Sequence, residues 1–381
     1  MGIPRFVRTL ISRYPLIIKN ILNKEELPST DYFYIDLRHI IHEISHGDKE
    51  NILFLIKNKS FPKMYEEVCM AIEELINTVH PKNFVMIADD GICPIAKLTE
   101  IIKRRFIGGH VPSGIFNFLI SIGLEPKDIT LFERDLISPG TKFMHDLEEY
   151  ILEFIRNKQK NDIYWQSIDI VYSGANVEGE GEHKIISHIR EYQRSENYKE
   201  QTNFTIYSND GDMILLSLLI HEPNIIIIQE DNVSSNEDKI YKHEFNKEHI
   251  FFINNQVIMI SVLREYLDIE FNDLFNEDNI IEFKYNLNNI LDDFVLICLL
   301  LGNDFIPGLM SLDREGRAFE YLLKAYKKTL PKCDNYIVKN TMINFKNLKE
   351  YFLELSKFEK DLLNSKIVDL KIHKKCIIKK N

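Results

Sequence analysis

Residues 84–90 read F-V-M-I-A-D-D. Five apolar residues with no helical gap, followed at once by two acids, describe a strand buried on both faces that ends at a charged edge. The same design recurs along the chain. Y-F-Y-I at 32–35 stops at Asp36, I-D-I-V-Y at 168–172 leads into N-V-E-G-E-G-E-H-K-I-I at 176–186, and F-T-I-Y at 204–207 runs into S-N-D-G-D. Residues 225–228 form a fifth apolar run, and the segments between show helical spacing, as at Leu147, Ile151, Phe154 and Ile155. Strands alternating with helices predict an α/β fold with a mostly parallel central sheet flanked by helices. Such sheets bind ligands at the carboxyl ends of their strands, so acids from separate strands are expected to share one crevice.

After Glu230 the pattern changes. A polar loop, D-N-V-S-S-N-E-D-K, precedes helical segments at 258–267, 291–301 and 317–326, and from Lys327 the chain is lysine-rich and expected to be helical. This divides the chain into an α/β core (1–235), a helical completion (236–330) and a lysine-rich tail (331–381). No Gly/Ser- or Pro-rich linker marks either boundary.

The bulk composition is that of a folded protein: 381 residues, 45% hydrophobic and 28% charged. The five cysteines are scattered without a C-x-x-C pair, which suggests neither a disulfide framework nor a zinc site and fits a reducing compartment. The start lacks a signal-peptide core, and the longest apolar run, 294–301, falls far short of the ~20 residues of a spanning helix. A soluble intracellular protein is expected, with no membrane partner, cytoplasmic in the first instance, with nuclear and virion-associated sites also open. The net charge of −11 argues against a general nucleic-acid binder, unless acids gather in one pocket and bases line another.

The acids Asp36, Asp90, Glu180, Glu182, Asp210, Asp212 and Asp304 all fall at predicted element ends. Glu180 and Glu182 are two apart, as are Asp210 and Asp212, and on extended backbone such pairs point to one side. Gathered carboxylates repel one another unless a cation sits among them, and oxygen-only ligands suit Mg²⁺ or Mn²⁺. Two such ions are the usual device for in-line phosphodiester hydrolysis. Each signal has a plainer reading. N-D-G-D is a good turn, a lone D-x-D is more often a turn than a ligand, and the E-G-E-G-E run suits a solvated loop or a helix N-terminus. The joint placement carries the argument. The glycines of that run are expected to keep the turn slim enough for a substrate backbone to approach.

Beyond Asp90, Pro94 can open a helix on which Lys97, Arg104 and Arg105 share one face. By charge pattern alone a solvated basic face is the commoner reading; beside an acidic pocket the trio suits a terminal phosphate.

Taken in order, the motifs resemble the Xrn/Rat-type 5′→3′ exoribonucleases of the flap-endonuclease-like (PIN-like) nuclease superfamily. They are M-G-I-P-R-F at 1–6, Y-I-D-L-R-H-I-I-H at 34–42, A-D-D-G-I-C-P-I-A-K-L at 88–98, I-S-P-G-T-K-F-M at 137–144, S-G-A-N-V-E-G-E-G-E-H-K-I-I at 173–186, Y-S-N-D-G-D-M-I-L-L-S-L at 207–218, D-D-F-V-L-I-C-L-L-L-G-N-D-F-I-P at 292–307 and S-L-D-R-E-G at 311–316. The resemblance implies that the seven acids bind two Mg²⁺ or Mn²⁺ ions. It implies that Lys97, Arg104 and Arg105 recognise a 5′-monophosphate and that His42 stacks on the first base. Of the two adjacent acids it assigns the ligand role to Asp90, Asp89 falling where the family usually has an apolar residue.

Ile101 stands where the family usually has a glutamine, so looser 5′-phosphate selectivity is expected. The family's second conserved region has little room, so a reduced substrate channel is expected, a compactness that suits a virus or a parasite. The reading is a metal-dependent 5′→3′ exoribonuclease releasing mononucleotides from single-stranded RNA with a 5′-monophosphate, expected as a monomer. Two rivals are a flap or 5′-exonuclease acting on DNA and a catalytically inactive RNA-binding homologue. The first is disfavoured because G-N-D-F-I-P-G-L-M-S-L lacks a glycine-rich hairpin, and the second because binding alone does not require seven acids.

Overall fold

The computed structural model describes residues 6–21, 23–46, 61–108, 134–230, 255–275, 281–312 and 317–364. Its strands are β1 (Ile18–Asn20), β2 (Tyr32–Asp36), β3 (Phe84–Ala88), β4 (Asp169–Ser173), β5 (Phe204–Tyr207), β6 (Ile225–Glu230), β7 (Asn255–Met259), β8 (Val338–Lys339) and β9 (Met342–Ile343). Its helices are α1 (Phe6–Arg13), α2 (Leu37–His46), α3 (Phe61–Val79), α4 (Ile95–Gly108), α5 (Lys142–Asn161), α6 (Ile163–Gln166), α7 (Gly181–Arg194), α8 (Asp212–Leu218), α9 (Ile260–Asn272), α10 (Leu287–Leu299), α11 (Arg317–Thr329) and α12 (Phe345–Ser356).

The chain divides into two compact units. One comprises residues 20–209 and 224–257, the other residues 1–19, 210–223 and 258–381. The boundary near 235 expected from the sequence lies outside the described residues.

The first unit is built on strands that neighbour one another in the order β6-β5-β2-β3-β4. Strands β6, β5, β2, β3 and β4 pair in parallel, with Tyr32 level with Phe84 and Phe204, and Phe84 level with Asp169. β3 and β5 are buried throughout; β3 is an unbroken apolar run, and in β5 the one polar side chain short of Tyr207, Thr205, is hydrogen-bonded to Thr30 Oγ1 at 2.7 Å. β4 closes one edge, and its residues alternate in exposure. The chain steps from β2 outward through β3 to β4, then returns past β2 to β5 and β6. The order therefore reverses at β2, and a crevice opens at that strand's carboxyl end. Asp36, the last residue of β2, lies at that point, level with Ala88. α7 lies against β2 and β3 and buries Ile185, Ile186 and Ile189.

The second unit is helical. Phe6 of α1 meets Phe319 of α11 edge-on at 6.2 Å, and Phe319 meets Phe294 of α10 at 6.0 Å. At the centre lies a buried acid, Asp293. It accepts hydrogen bonds from the Tyr326 hydroxyl at 2.6 Å and from the backbone N–H groups of Ile337 at 2.9 Å and Val338 at 2.6 Å. The sequence led us to expect a helix from Ile258; instead residues 255–259 form β7 and α9 starts at Ile260. Its N-cap, Met259, makes no capping bond, so no local signal marks the switch. The region after Lys327 is not helical throughout. β8 and β9 form an antiparallel hairpin whose turn residues, Asn340 and Thr341, both take positive φ, the geometry of a two-residue hairpin turn. Among the described residues no helix is long and apolar enough to cross a membrane.

Candidate metal centre

Four of the seven acids meet around Gly181, at the start of α7. Its N–H donates to Asp90 Oδ1 at 2.8 Å, and a Cβ at this position would stand 3.2 Å from Asp36 Oδ1 and 3.1 Å from the Ala88 carbonyl. Glu180 and Glu182 flank it in sequence, and together with His183 they offer ligand atoms all within 4.8 Å of one another. The convergence does not arise on extended backbone, as the two-residue spacing suggested. Glu180 is the N-cap of α7 and Glu182 lies in its first turn, so the start of the helix brings the pair together. Glu182 thereby also complements the helix dipole. Glu180 makes no capping hydrogen bond; its Oε2 pairs with Lys97 Nζ at 2.7 Å, and its buried Oε1 has no hydrogen-bond partner.

The glycines serve the chain's own packing. Gly179 takes φ +94°, in the left-handed region, which aims Glu180 inward; its N–H donates to the Ile92 carbonyl at 3.1 Å and its carbonyl accepts from Gly91 N–H at 2.8 Å. The turn is thus tied to the loop that carries Asp90. At Gly181 there is room for hydrogen and little more. Gly181→Ala is expected to push the Asp36 carboxylate by a few tenths of an ångström and to weaken Mn²⁺ binding about tenfold, read by titration of the variant beside the parent.

Two side chains that the sequence reading did not single out hold the carboxylates in place. Ser208 Oγ donates to Asp36 Oδ2 at 3.0 Å. Arg38 contacts Asp90 Oδ2 through Nε at 3.1 Å and Asp89 Oδ1 at 3.4 Å, and donates to the carbonyls of Asp90 at 3.0 Å and Ile137 at 3.2 Å. Lys184 Nζ spans the Asp89 and Gly174 carbonyls at 2.7 and 2.8 Å. Ser208, Arg38 and Lys184 all stand inside the motifs quoted above, two residues from one of the seven acids, which is the signal that could have found them. Burial opposes ionisation of Asp90, but the Arg38 guanidinium, the Gly181 N–H and Lys97 outweigh it and hold its carboxyl below the usual range. Burial pushes the Asp89 carboxyl up to about 6, against the pull of Arg38. Burial also lowers the pKa of His183, so its imidazole is neutral at physiological pH and able to act as a ligand.

Lys97 therefore does not stand free on a basic face: it reaches Glu180. Arg104 and Arg105 lie on α4, but their side chains fall outside the described residues. His42 is exposed on α2. Asp210, Asp212 and Asp304 belong to the helical unit. Asp210 precedes Gly211, which takes helical φ and ψ, and Asp212 is the first residue of α8, so this pair too is not on extended backbone. Asp304 sits in a turn closed by Asn303, whose Oδ1 accepts from the N–H groups of Phe305 at 3.0 Å and Ile306 at 2.8 Å.

Comparison with known proteins assigns the chain. Residues 1–231 match the family model described as the XRN 5′-3′ exonuclease N-terminus, and residues 284–381 match that of the Xrn1 helical domain. The chain belongs to the XRN 5′-3′ exonuclease family. It is 33% identical over 375 residues to 5′-3′ exoribonuclease 1 of Saccharomyces cerevisiae, covering 98% of this chain and 23% of that protein. It is 31% identical over 371 residues to 5′-3′ exoribonuclease 1 of Homo sapiens, covering 97% of this chain and 21% of that one. The chain thus spans less than a quarter of the length of these two relatives. Among solved structures, the catalytic core of Rad2 in complex with a DNA substrate aligns with TM-score 0.44 at 12% identity, over 97% of this chain and 79% of that one. The viral source entertained from the chain's compactness finds no support in these relatives.

Proposed function

We propose that this chain is a metal-dependent 5′→3′ exoribonuclease that takes single-stranded RNA with a 5′-monophosphate and releases mononucleotides. The observation that carries the reading is the meeting of Asp36, Asp90, Glu180 and Glu182 around Gly181 at the switch point of a parallel sheet, in a chain of the XRN family. The donor set fits a divalent cation. It is rich in carboxylate oxygen, and Glu180 Oε1 is buried with no hydrogen-bond partner, an open acceptor on a carboxylate whose other oxygen pairs with Lys97. Asp210, Asp212 and Asp304 complete the ligand set in this reading, and two Mg²⁺ or Mn²⁺ ions are held. Metal bound there supplies an activated water and neutralises charge on the leaving oxygen.

The chain's own residues do the rest. Ser208 and Arg38 hold Asp36 and Asp90 at fixed positions. Lys97, now paired with Glu180, would turn to the 5′-phosphate, and Arg104 and Arg105 would grip the same phosphate. His42 stacks on the first base, a contact tolerant of sequence. Residues 1–235 form the nuclease core, 236–330 complete it with Asp304, and 331–381 form a lysine-rich extension.

Single-stranded RNA and DNA of one sequence, each with a 5′-phosphate or a 5′-hydroxyl, test this in Mg²⁺. Mononucleotides are expected from 5′-phosphate RNA, and none after EDTA or in Asp210→Ala. Equal or faster cleavage of DNA overturns the RNA assignment, and RNA binding without cleavage overturns the enzyme assignment.

A further inference from the structure

Arg38 is placed oddly for a cation beside a metal centre. Its Nε lies 3.1 Å from Asp90 Oδ2, and a full positive charge there competes with any cation that Asp90 is to bind. Its position is also fixed, because the guanidinium donates to the Asp90 and Ile137 carbonyls. Asp89 answers this charge. Its side chain is fully buried, its Oδ1 lies 3.4 Å from Arg38 Nε and accepts from Asp90 N–H at 2.8 Å, and its Oδ2 has no hydrogen-bond partner. A buried carboxylate with one idle oxygen is expensive unless its charge is used. The neighbouring cation, Lys184, donates to two carbonyls, those of Asp89 and Gly174, and its charge also favours the ionised Asp89, but its side chain makes no ion pair with it.

We propose that Asp89 and Arg38 are a charge-balancing pair of positioning residues. Asp89 takes up the charge of Arg38, so that the guanidinium fixes Asp90 without cancelling the negative charge that Asp90 offers to metal. The inference rests on the metal-centre reading above.

The test is Mn²⁺ binding to the whole chain, read from the electron paramagnetic resonance of free Mn²⁺, with no substrate present. Asp89→Asn leaves Arg38 uncompensated and is expected to raise the Kd about tenfold. Adding Arg38→Gln removes the excess charge and is expected to return the Kd to within about threefold of the parent. A pair that merely supported the fold would show the same non-additivity in its melting temperature, whereas here the melting temperatures in EDTA are expected to stay close to the parent's while the Kd changes. The proposal is overturned if Asp89→Asn binds Mn²⁺ as tightly as the parent, or if the double variant binds more weakly than Asp89→Asn. Should circular dichroism show Asp89→Asn to be unfolded, the double variant is compared with the parent directly. A Kd within about fivefold then supports the pair, and a larger loss overturns it. Glu180→Gln separates the two levels. If it leaves Mn²⁺ binding unchanged, the metal centre itself fails and the pair with it. If it weakens binding while Asp89→Asn does not, only the charge-balancing role falls.

Discussion

Glu180→Gln is expected to lower RNA hydrolysis by about 10³-fold or more, equivalent to ~4 kcal/mol of transition-state stabilisation. The substitution keeps the shape of the side chain and removes one negative charge from the ligand set. The amide oxygen still accepts from Lys97 Nζ, which sits at 2.7 Å, so the hydrogen bond survives while the charge that pairs with Lys97 is lost. The melting temperature in EDTA is expected to change little, because relief of repulsion among the gathered carboxylates offsets the lost ion pair. Loss of activity with stability intact marks a residue kept for chemistry. A parallel fall of activity and melting temperature would instead make Glu180 a structural residue. Single-turnover kinetics beside thermal melts decide between them.

The second large effect lies in the helical unit. Asp293→Ala removes the acceptor shared by Tyr326, Ile337 and Val338, leaving three buried donors without partners. The expected loss is about 3 kcal/mol or more, seen as a fall on the order of 10 °C in melting temperature. The carboxyl also titrates unusually. Burial pushes it up to about 7, against the three donors, which pull it down. The folded state therefore holds this proton between pH ~4 and pH ~7, where the unfolded chain has released it. The stabilisation is present in full at the acid end of that window and is lost as pH rises to about 7. Compared with Asp293→Asn, in which other titrations cancel, the stability advantage of the native residue is expected to shrink from pH 5 to pH 8. An advantage that grows over that range would mean that the three hydrogen bonds outweigh burial.

What could be read from the sequence followed from how much of each element's environment was local. β3 and β5 agree with their apolar runs residue for residue, because strands buried on both faces advertise themselves in every side chain. β4 is shifted by one residue, to Asp169–Ser173, since an edge strand shows only half its pattern. The start of α9 was missed because 257–263 is apolar apart from Ser261 and could continue a strand or open a helix.

At the site, the acids were legible as a set because each stands at the end of an element. Their geometry was not. Spacing of two suggested extended backbone, whereas the start of α7 places Glu180 and Glu182 together and Gly179 turns the chain into it. Arg38 was not singled out. Its role comes from Asp89, Asp90 and Ile137, far along the chain, and no local pattern records those contacts.

Diffraction from crystals soaked in Mn²⁺, recorded for anomalous scattering, tests the central claim most directly. The expected result is strong peaks bound by Asp36, Asp90, Glu180 and Glu182, their number counting the ions. Mn²⁺ bound elsewhere, with these four carboxylates contacting none, would contradict the metal centre.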